Sequence, residues 1–243
     1  RRRIFRKTKR FDRKKWDSLN GKQRVRYLFD YYKLPFVLIL ILLYIAGFLI
    51  FRQVTKKDTV LYTGLVNIVP VEATTRHLSS DFLDDIGADS RKEEVKLYSG
   101  WYLTTNKDSQ YYQYTYASQM KILASIDDEQ LDVVLMDRES FDAFSQNGYL
   151  YNLEDLLQAT ELSGLLEPYM VSNIEFLEDN AKDINFDPSI TFESVNAEYP
   201  MGLDFSGSFV FSDAEYSDTI YLGVIANTPR KDAVIRYLTY LYS

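Results

Sequence analysis

The ten residues LDVVLMDRES, residues 131–140, decide the fold class. Leu131 to Met136 is a nearly all-apolar run, which is typical of a parallel strand buried on both faces. Asp137 follows at once and Glu139 two residues later, an order typical of a helix N-cap and an acidic first turn. The stretch therefore predicts a strand that leads directly into a helix, the repeating step of an α/β fold.

The same alternation continues on both sides of this stretch. The other predicted strands cover 60–69, 94–103 and 219–227, and the other predicted helices cover 72–86, 109–127, 150–157 and 230–242. Residues 159–218 are acidic, rich in Asn, Asp, Ser and Glu, and more irregular. We therefore predict a parallel sheet built from βαβ units in the body of the chain.

Charge divides the chain into a basic head and an acidic body. Residues 1–33 carry fourteen Lys and Arg against three Asp, a net charge of +11. The whole chain has a net charge of −7, so residues 34–243 carry −18. Apolar residues from Trp16 to Tyr32 could form one side of an amphipathic helix, with Lys22, Arg24, Arg26 and Lys33 facing anionic lipid headgroups. A solvated charge run that only fixes topology explains the same pattern, and no groove-reading motif indicates nucleic acid.

An uncharged apolar run, LPFVLILILLYIAGFLIF, follows the basic head at residues 34–51. As a helix it would extend about 27 Å, close to the hydrocarbon core of a bilayer. It is too long for a typical signal peptide and has no polar face for an interfacial helix. The run predicts a single transmembrane helix at 34–52, anchored by Leu34, Pro35, Phe36, Tyr44 and Phe51. The positive-inside rule then places residues 1–33 in the cytoplasm and, after a linker at 53–58, residues 59–243 outside the cell.

Two segments of the body carry a family resemblance. Asp132-Val133-Val134 followed by GYLYNL at 148–153, and YLGVIANTPRKDAVIRYLTYL at 221–241, resemble the first lobe and return strand of type II extracellular solute-binding proteins. The resemblance covers about 59–157 and 219–243. It implies a periplasmic-binding-protein-II-like extracellular domain at 59–243, with 159–218 as a reduced second lobe, and a partner of the ABC transporter permease type.

The resemblance and the predicted anchor together favour one function over two others. The leading hypothesis is a non-enzymatic, single-pass accessory subunit that docks on a membrane protein complex of the ABC transporter type, or on the peptide it handles. A tethered receptor that delivers a small solute to an importer is the first alternative, and a cell-envelope hydrolase is the second. The short second lobe weighs against solute capture.

Five residues are candidates for binding a ligand or partner. In α/β folds ligands lie outside the carboxyl ends of parallel strands. The candidates at the ends of two predicted strands are Trp101, Tyr102, Asp137 and Arg138. Asp137 could accept hydrogen bonds from a ligand amine, or could only cap its helix. Trp101 and Tyr102 could stack on a ligand or lie in the core. Asn227 ends the last predicted strand, where a binding residue and a helix cap are the two interpretations.

Metal, cofactor and catalytic signatures are absent from the sequence. The chain has no Cys and one His, His77, which excludes thiol catalysis and His-rich metal sites. The acidic clusters at 84–85 and 127–129 lack the spacing of a calcium loop. No phosphate-binding or nucleophile motif is present. We therefore predict no catalytic residue, no metal and no cofactor.

Overall fold

The structure is a computed structural model that describes residues 20–158, 160–179, 189, 191, 193–212 and 219–243. Within the first helix, only the backbone is described at 22–36, 52 and 54. The chain divides into two compact units, Arg1–Lys56 and Lys57–Ser243. Each unit is described by itself.

The first unit contains helix α1, Gly21–Val54, and it corrects the predicted membrane anchor. Among the residues that the structure describes, none forms a helix with enough length and apolar character to span a bilayer. The prediction of a transmembrane helix at 34–52 is therefore wrong.

Two further predictions depended on that helix. The anchoring roles of Leu34, Pro35, Phe36, Tyr44 and Phe51 are not supported, and neither is the single-pass location with residues 1–33 cytoplasmic and 59–243 extracellular. The four cations expected to face lipid headgroups lie outside the side chains that the structure describes, as do residues 1–19. These four are Lys22, Arg24, Arg26 and Lys33.

The second unit is α/β with a six-stranded sheet among its described residues. Its strands are β1 (Asp58–Val66), β2 (Glu93–Trp101), β3 (Val133–Met136), β4 (Met170–Asp179), β5 (Ser194–Asp204) and β6 (Tyr221–Val224). Its helices are α2 (Glu72–His77), α3 (Ser80–Asp85), α4 (Tyr112–Asp127), α5 (Arg138–Gln146), α6 (Leu153–Leu157), α7 (Leu162–Leu166) and α8 (Lys231–Leu241). Two short 3-10 helices cover Glu167–Tyr169 and Phe209–Phe211.

The sheet is mixed, which corrects the prediction of an all-parallel sheet. Its order is β2-β1-β3-β6-β5-β4. β2, β1 and β3 are parallel, whereas β6 is antiparallel to both β3 and β5, and β4 is antiparallel to β5. The reason is that β4 and β5 form an antiparallel pair, and β6 enters the sheet between β3 and β5. The described part of 159–218 thus supplies the two longest strands of the sheet.

The core lies on both faces of the sheet. The larger cluster packs α3, α6, α7 and α8 on one face, and Leu65, Phe82 and Tyr237 are completely buried within it. The smaller cluster packs α4 and α5 on the other face, around Val134 and Phe141. All four residues of β3 are buried, as its apolar sequence predicts. The sheet therefore holds the carboxyl ends of β1, β2 and β3 side by side at one edge.

Candidate functional site

Asn67 joins the three parallel strands at their carboxyl ends. It follows β1 with a positive φ of 59°, a conformation that Asn adopts more readily than most residues. Its Nδ2 donates to the carbonyl of Leu103 at 2.7 Å and to Oδ2 of Asp137 at 2.8 Å. Its Oδ1 accepts from the backbone N–H of Leu103 at 2.9 Å. One amide side chain thus fixes the segment after β2 against the start of α5.

Asp137 caps α5, as its position in the sequence predicts. Its Oδ1 accepts from the backbone N–H of Ser140 at 3.0 Å, and its Oδ2 accepts from Asn67. The side chain is half-buried at the mouth of the site. Both hydrogen-bond donors are neutral groups, so the negative charge of Asp137 has no cation beside it in these contacts. A ligand amine near Asp137 stays a prediction.

A groove of about 330 Å³ opens at this edge, and we call it the carboxyl-edge groove. Tyr102 and Tyr111 form one wall, with their rings stacked at 4.2 Å between centroids and 7° between planes. Asp137 and Glu139 line it as well, whereas none of the described residues that line it is Lys, Arg or His. The groove therefore combines two carboxylates with an aromatic wall.

Glu139 is the more exposed of the two carboxylates. Its Oε1 accepts from both the backbone N–H and the hydroxyl of Thr105, at 2.8 and 2.7 Å. These bonds hold the loop between β2 and α4 against α5. As with Asp137, the donors carry no charge. A cation that enters the groove can therefore meet a carboxylate without displacing an existing ion pair.

A second groove, of about 390 Å³, lies between α4 and α5, and we call it the α4–α5 groove. Its surface is mainly apolar, with Ile122 and Phe144 at its base and Ala143 on its α5 side. Glu139 lines both grooves. The two grooves therefore adjoin, and each has a volume within or near the range of known ligand pockets.

The other predicted site residues lie outside the two grooves. Trp101 is buried in the core beside Gly64, where a Cβ on residue 64 would lie 2.7 Å from the Trp101 ring. Arg138 pairs with Asp142 at 3.0 Å, and hydrogen bonds to Tyr221 and Asp142 raise the pKa of its guanidinium. Asn227 donates to the carbonyl of Ile126 at 2.7 Å, near the opposite end of β3. Only Tyr102 and Asp137 come together in one groove.

A buried ion pair lies at the amino end of β3. Asp132 is completely buried, and its Oδ2 accepts from Nε of Arg230 at 2.8 Å and from the backbone N–H of Tyr62 at 2.8 Å. Its Oδ1 accepts from the hydroxyl of Thr228 at 2.5 Å. The Arg230 guanidinium lies 4.6 Å from the centroid of the Tyr62 ring. This arrangement joins two segments of the chain that carry the family resemblance.

Sequence reasoning missed Asn67 and Glu139 as site residues. Asn67 was counted inside a strand that was predicted to run to Val69, whereas the strand ends at Val66. Its signal was available, because an Asn directly after an apolar strand is a common left-handed turn residue. Glu139 was interpreted only as an acidic residue in the first turn of a helix. The lone histidine, His77, pairs with Asp81 at 2.8 Å and lies outside both grooves.

Comparisons with protein-family models, curated proteins and solved structures found no match to this chain. Among the described residues, no group of three or more His, Cys, Asp or Glu is placed to hold a metal ion. The two grooves are therefore the candidate binding surfaces of the described residues.

Proposed function

We propose that the second unit, residues 57–243, is a non-enzymatic binding module whose carboxyl-edge groove takes a positively charged group of a partner. The observation that carries the proposal is the pair of carboxylates, Asp137 and Glu139, in a groove that no described Lys, Arg or His lines. A lysine ammonium or an arginine guanidinium would form charge-assisted hydrogen bonds with them, which are stronger than neutral ones.

The aromatic wall supports the same choice of ligand. The stacked rings of Tyr102 and Tyr111 present apolar surface with polar tips. Such rings accept the methylene stem of lysine or the flat face of a guanidinium, and a cation above a ring gains about 0.5–1 kcal/mol at an exposed site. A purely anionic or purely apolar ligand would use only part of this groove.

The open shape of the site favours a segment of another protein over an enclosed solute. A receptor that engulfs a solute closes a second lobe over its ligand. The described residues of 57–243 instead form one sheet with helices on its faces, and β4 and β5 extend that sheet. Together with the resemblance to solute-binding proteins, this favours a basic segment of an ABC-transporter-type complex, or a peptide that such a complex handles, as the partner.

A titration with two small probes tests the proposal on the full chain. N-acetyl-lysine N-methylamide carries the cation, and the norleucine equivalent has nearly the same shape without charge. We expect the lysine probe to bind in an NMR-monitored titration and the norleucine probe to bind at least about tenfold more weakly, because a hydrogen bond to a charged group contributes about 1.5–3 kcal/mol. Added salt should weaken only the lysine probe.

Two variants locate the binding. Glu139→Gln should reduce the affinity for the lysine probe about tenfold, since it keeps the shape of the side chain and removes its charge. Asp127→Asn is the matched control, because it removes an exposed carboxylate at the far end of α4. Equal binding of both probes, or equal effects of the two variants, would overturn the proposal.

A further inference from the structure

We infer that the α4–α5 groove takes an apolar side chain of the same partner, so that the ligand is an extended peptide with a basic residue followed two positions later by an apolar one. This inference rests on the proposed function, because the carboxyl-edge groove supplies the site for the basic residue. It adds the class of ligand and a second contact.

The two grooves are continuous. Leu103, Thr104 and Glu139 line both of them. At this junction Glu139 is held by Thr105, so the junction is built from hydrogen-bonded side chains and backbone. A ligand in one groove can therefore extend into the other along a preformed surface.

The α4–α5 groove suits an apolar side chain. At its base Ile122 and Phe144 are 3% and 2% exposed, and Leu123 and Ala143 cover its sides. A leucine-sized side chain placed there would leave water and contact these groups, which is worth about tenfold or more in affinity.

Exposed aromatic residues continue this surface along α4. Tyr112, Tyr116 and Met120 follow one another at intervals of four residues, so they share one side of the helix. They are 41%, 74% and 51% exposed. Thr115 and Gln119, which line the groove, lie next to them on the same helix. Tyrosine and methionine are enriched where proteins bind one another, and lysine and glutamate are depleted there.

Charge complementarity selects the partner. The α4–α5 groove also has no Lys, Arg or His among the described residues that line it, and its carboxylates are Glu139 and Asp142. Asp142 is already paired with Arg138 and accepts from Nδ2 of Asn173 at 2.8 Å, so Glu139 carries the free charge. The attraction for a cation is therefore concentrated where the grooves meet, and the groove beyond it is apolar.

An extended peptide can present two side chains to the same surface. Residues i and i+2 of an extended chain point to the same side, about 6.6 Å apart. A basic residue at Glu139 would thus direct the side chain two positions later toward the same surface. An acidic body, with a net charge of −18 over residues 34–243, attracts basic peptides in general and adds no preference for the apolar position.

Four tripeptides with acetylated amino ends and amidated carboxyl ends test the inference on the full chain. They are lysyl-glycyl-leucine, lysyl-glycyl-alanine, norleucyl-glycyl-leucine and norleucyl-glycyl-alanine. We expect lysyl-glycyl-leucine to bind about tenfold more tightly than lysyl-glycyl-alanine. The Ala143→Phe variant fills the groove and should abolish this difference between the leucine and alanine peptides. Ala124→Phe is the matched control, because Ala124 is exposed on α4 and lines neither groove.

The outcomes separate this inference from the proposed function. If leucine and alanine peptides bind equally while lysine still outbinds norleucine, the inference is overturned and the proposed function stands. If lysine and norleucine peptides bind equally, the proposed function fails, whatever leucine contributes. The comparison of leucine and alanine peptides on the unmodified chain tests the inference even if Ala143→Phe does not fold. A thermal melt reports the folding of each variant.

Discussion

The replacement Arg230→Met tests what holds the amino end of β3 in place. Asp132 is completely buried, and Arg230 is its only cationic partner among the described residues, at 2.8 Å. Methionine keeps most of the volume of the arginine stem and removes the guanidinium. The variant therefore leaves a buried carboxylate without its counter-charge.

The size of the loss follows from the burial of the pair. Removal of one partner from a buried ion pair costs about 3–5 kcal/mol. Because the Arg230 side chain is 26% exposed, water can reach part of the vacated space, and we expect the lower end of that range, about 3 kcal/mol. The contact of the guanidinium with the Tyr62 ring adds about 0.5 kcal/mol. The hydrogen bonds to Asp132 from Thr228 and from the backbone of Tyr62 do not depend on the guanidinium.

Urea unfolding of the full chain measures this loss. With a slope of about 2 kcal/mol per molar urea, the midpoint should fall by roughly 1.5 M. Arg138→Met is the matched control, because its pair with Asp142 is 56% and 36% exposed and should contribute less than about 1 kcal/mol. The double variant Asp132→Asn, Arg230→Met should regain part of the stability, since it removes the unpaired charge. If Arg230→Met costs no more than Arg138→Met, the buried pair is not what stabilises this end of the strand.

Two further predictions concern packing and alkaline pH. Gly202→Ala should destabilise the chain by about 1–3 kcal/mol, because the Cβ of the new alanine would lie 2.6 Å from Cε2 of Phe141. Gly164→Ala is the control, because residue 164 has open space around it and the change should not destabilise the chain. Equal urea midpoints for the two variants would contradict the prediction. Burial, together with the charges of Asp81 and Asp85, raises the pKa of the Tyr240 phenol to about 12 in the folded chain. In the unfolded chain a tyrosine phenol loses its proton near pH 10. The free energy of unfolding should therefore fall as the pH rises from about 10 to 12, and it should fall less steeply in Tyr240→Phe. A urea midpoint of the unmodified chain that rises with pH over this range would refute the prediction.

Local sequence pattern was enough to predict the central elements. The all-apolar run at β3 and the capping residue Asp137 match the predictions, since a buried strand and a helix N-cap each have a local signature. The helix predicted at 72–86 is in fact two helices, because the backbone of Ser79 leaves the helical region between α2 and α3. A local pattern therefore locates an element better than it locates its ends.

The β4–β5 pair could not be predicted in this way. β5 contains Pro200, which argues against a strand, and the pairing shifts register between Val171 and Ser172, where Ser172 faces Pro200. An irregularity of the pairing therefore accommodates a residue that cannot donate to the ladder. β6 lies antiparallel beside β5 of this pair, so the mixed strand directions of the sheet could not be predicted from local pattern either.

The predicted membrane helix was wrong for a different reason. The prediction depended on an uninterrupted run of 18 apolar residues at 34–51, for which length is the deciding quantity. No helix among the described residues has the length and apolar character that a span requires. The proposed function accordingly uses residues 57–243 alone.

The two ends of β3 show why one acidic site is structural and the other is open to a ligand. Asp132 and Asp137 are the same residue type, and each accepts hydrogen bonds that fix its position. Asp132 is buried against a guanidinium, so its charge is neutralised within the chain and its role is stability. Asp137 receives its hydrogen bonds from an amide side chain and a backbone N–H, which orient the carboxylate at the N-terminus of α5 without a cation in these contacts. Glu139 lines the same groove and also accepts from neutral donors, and the proposed binding of a partner's cation depends on these two carboxylates.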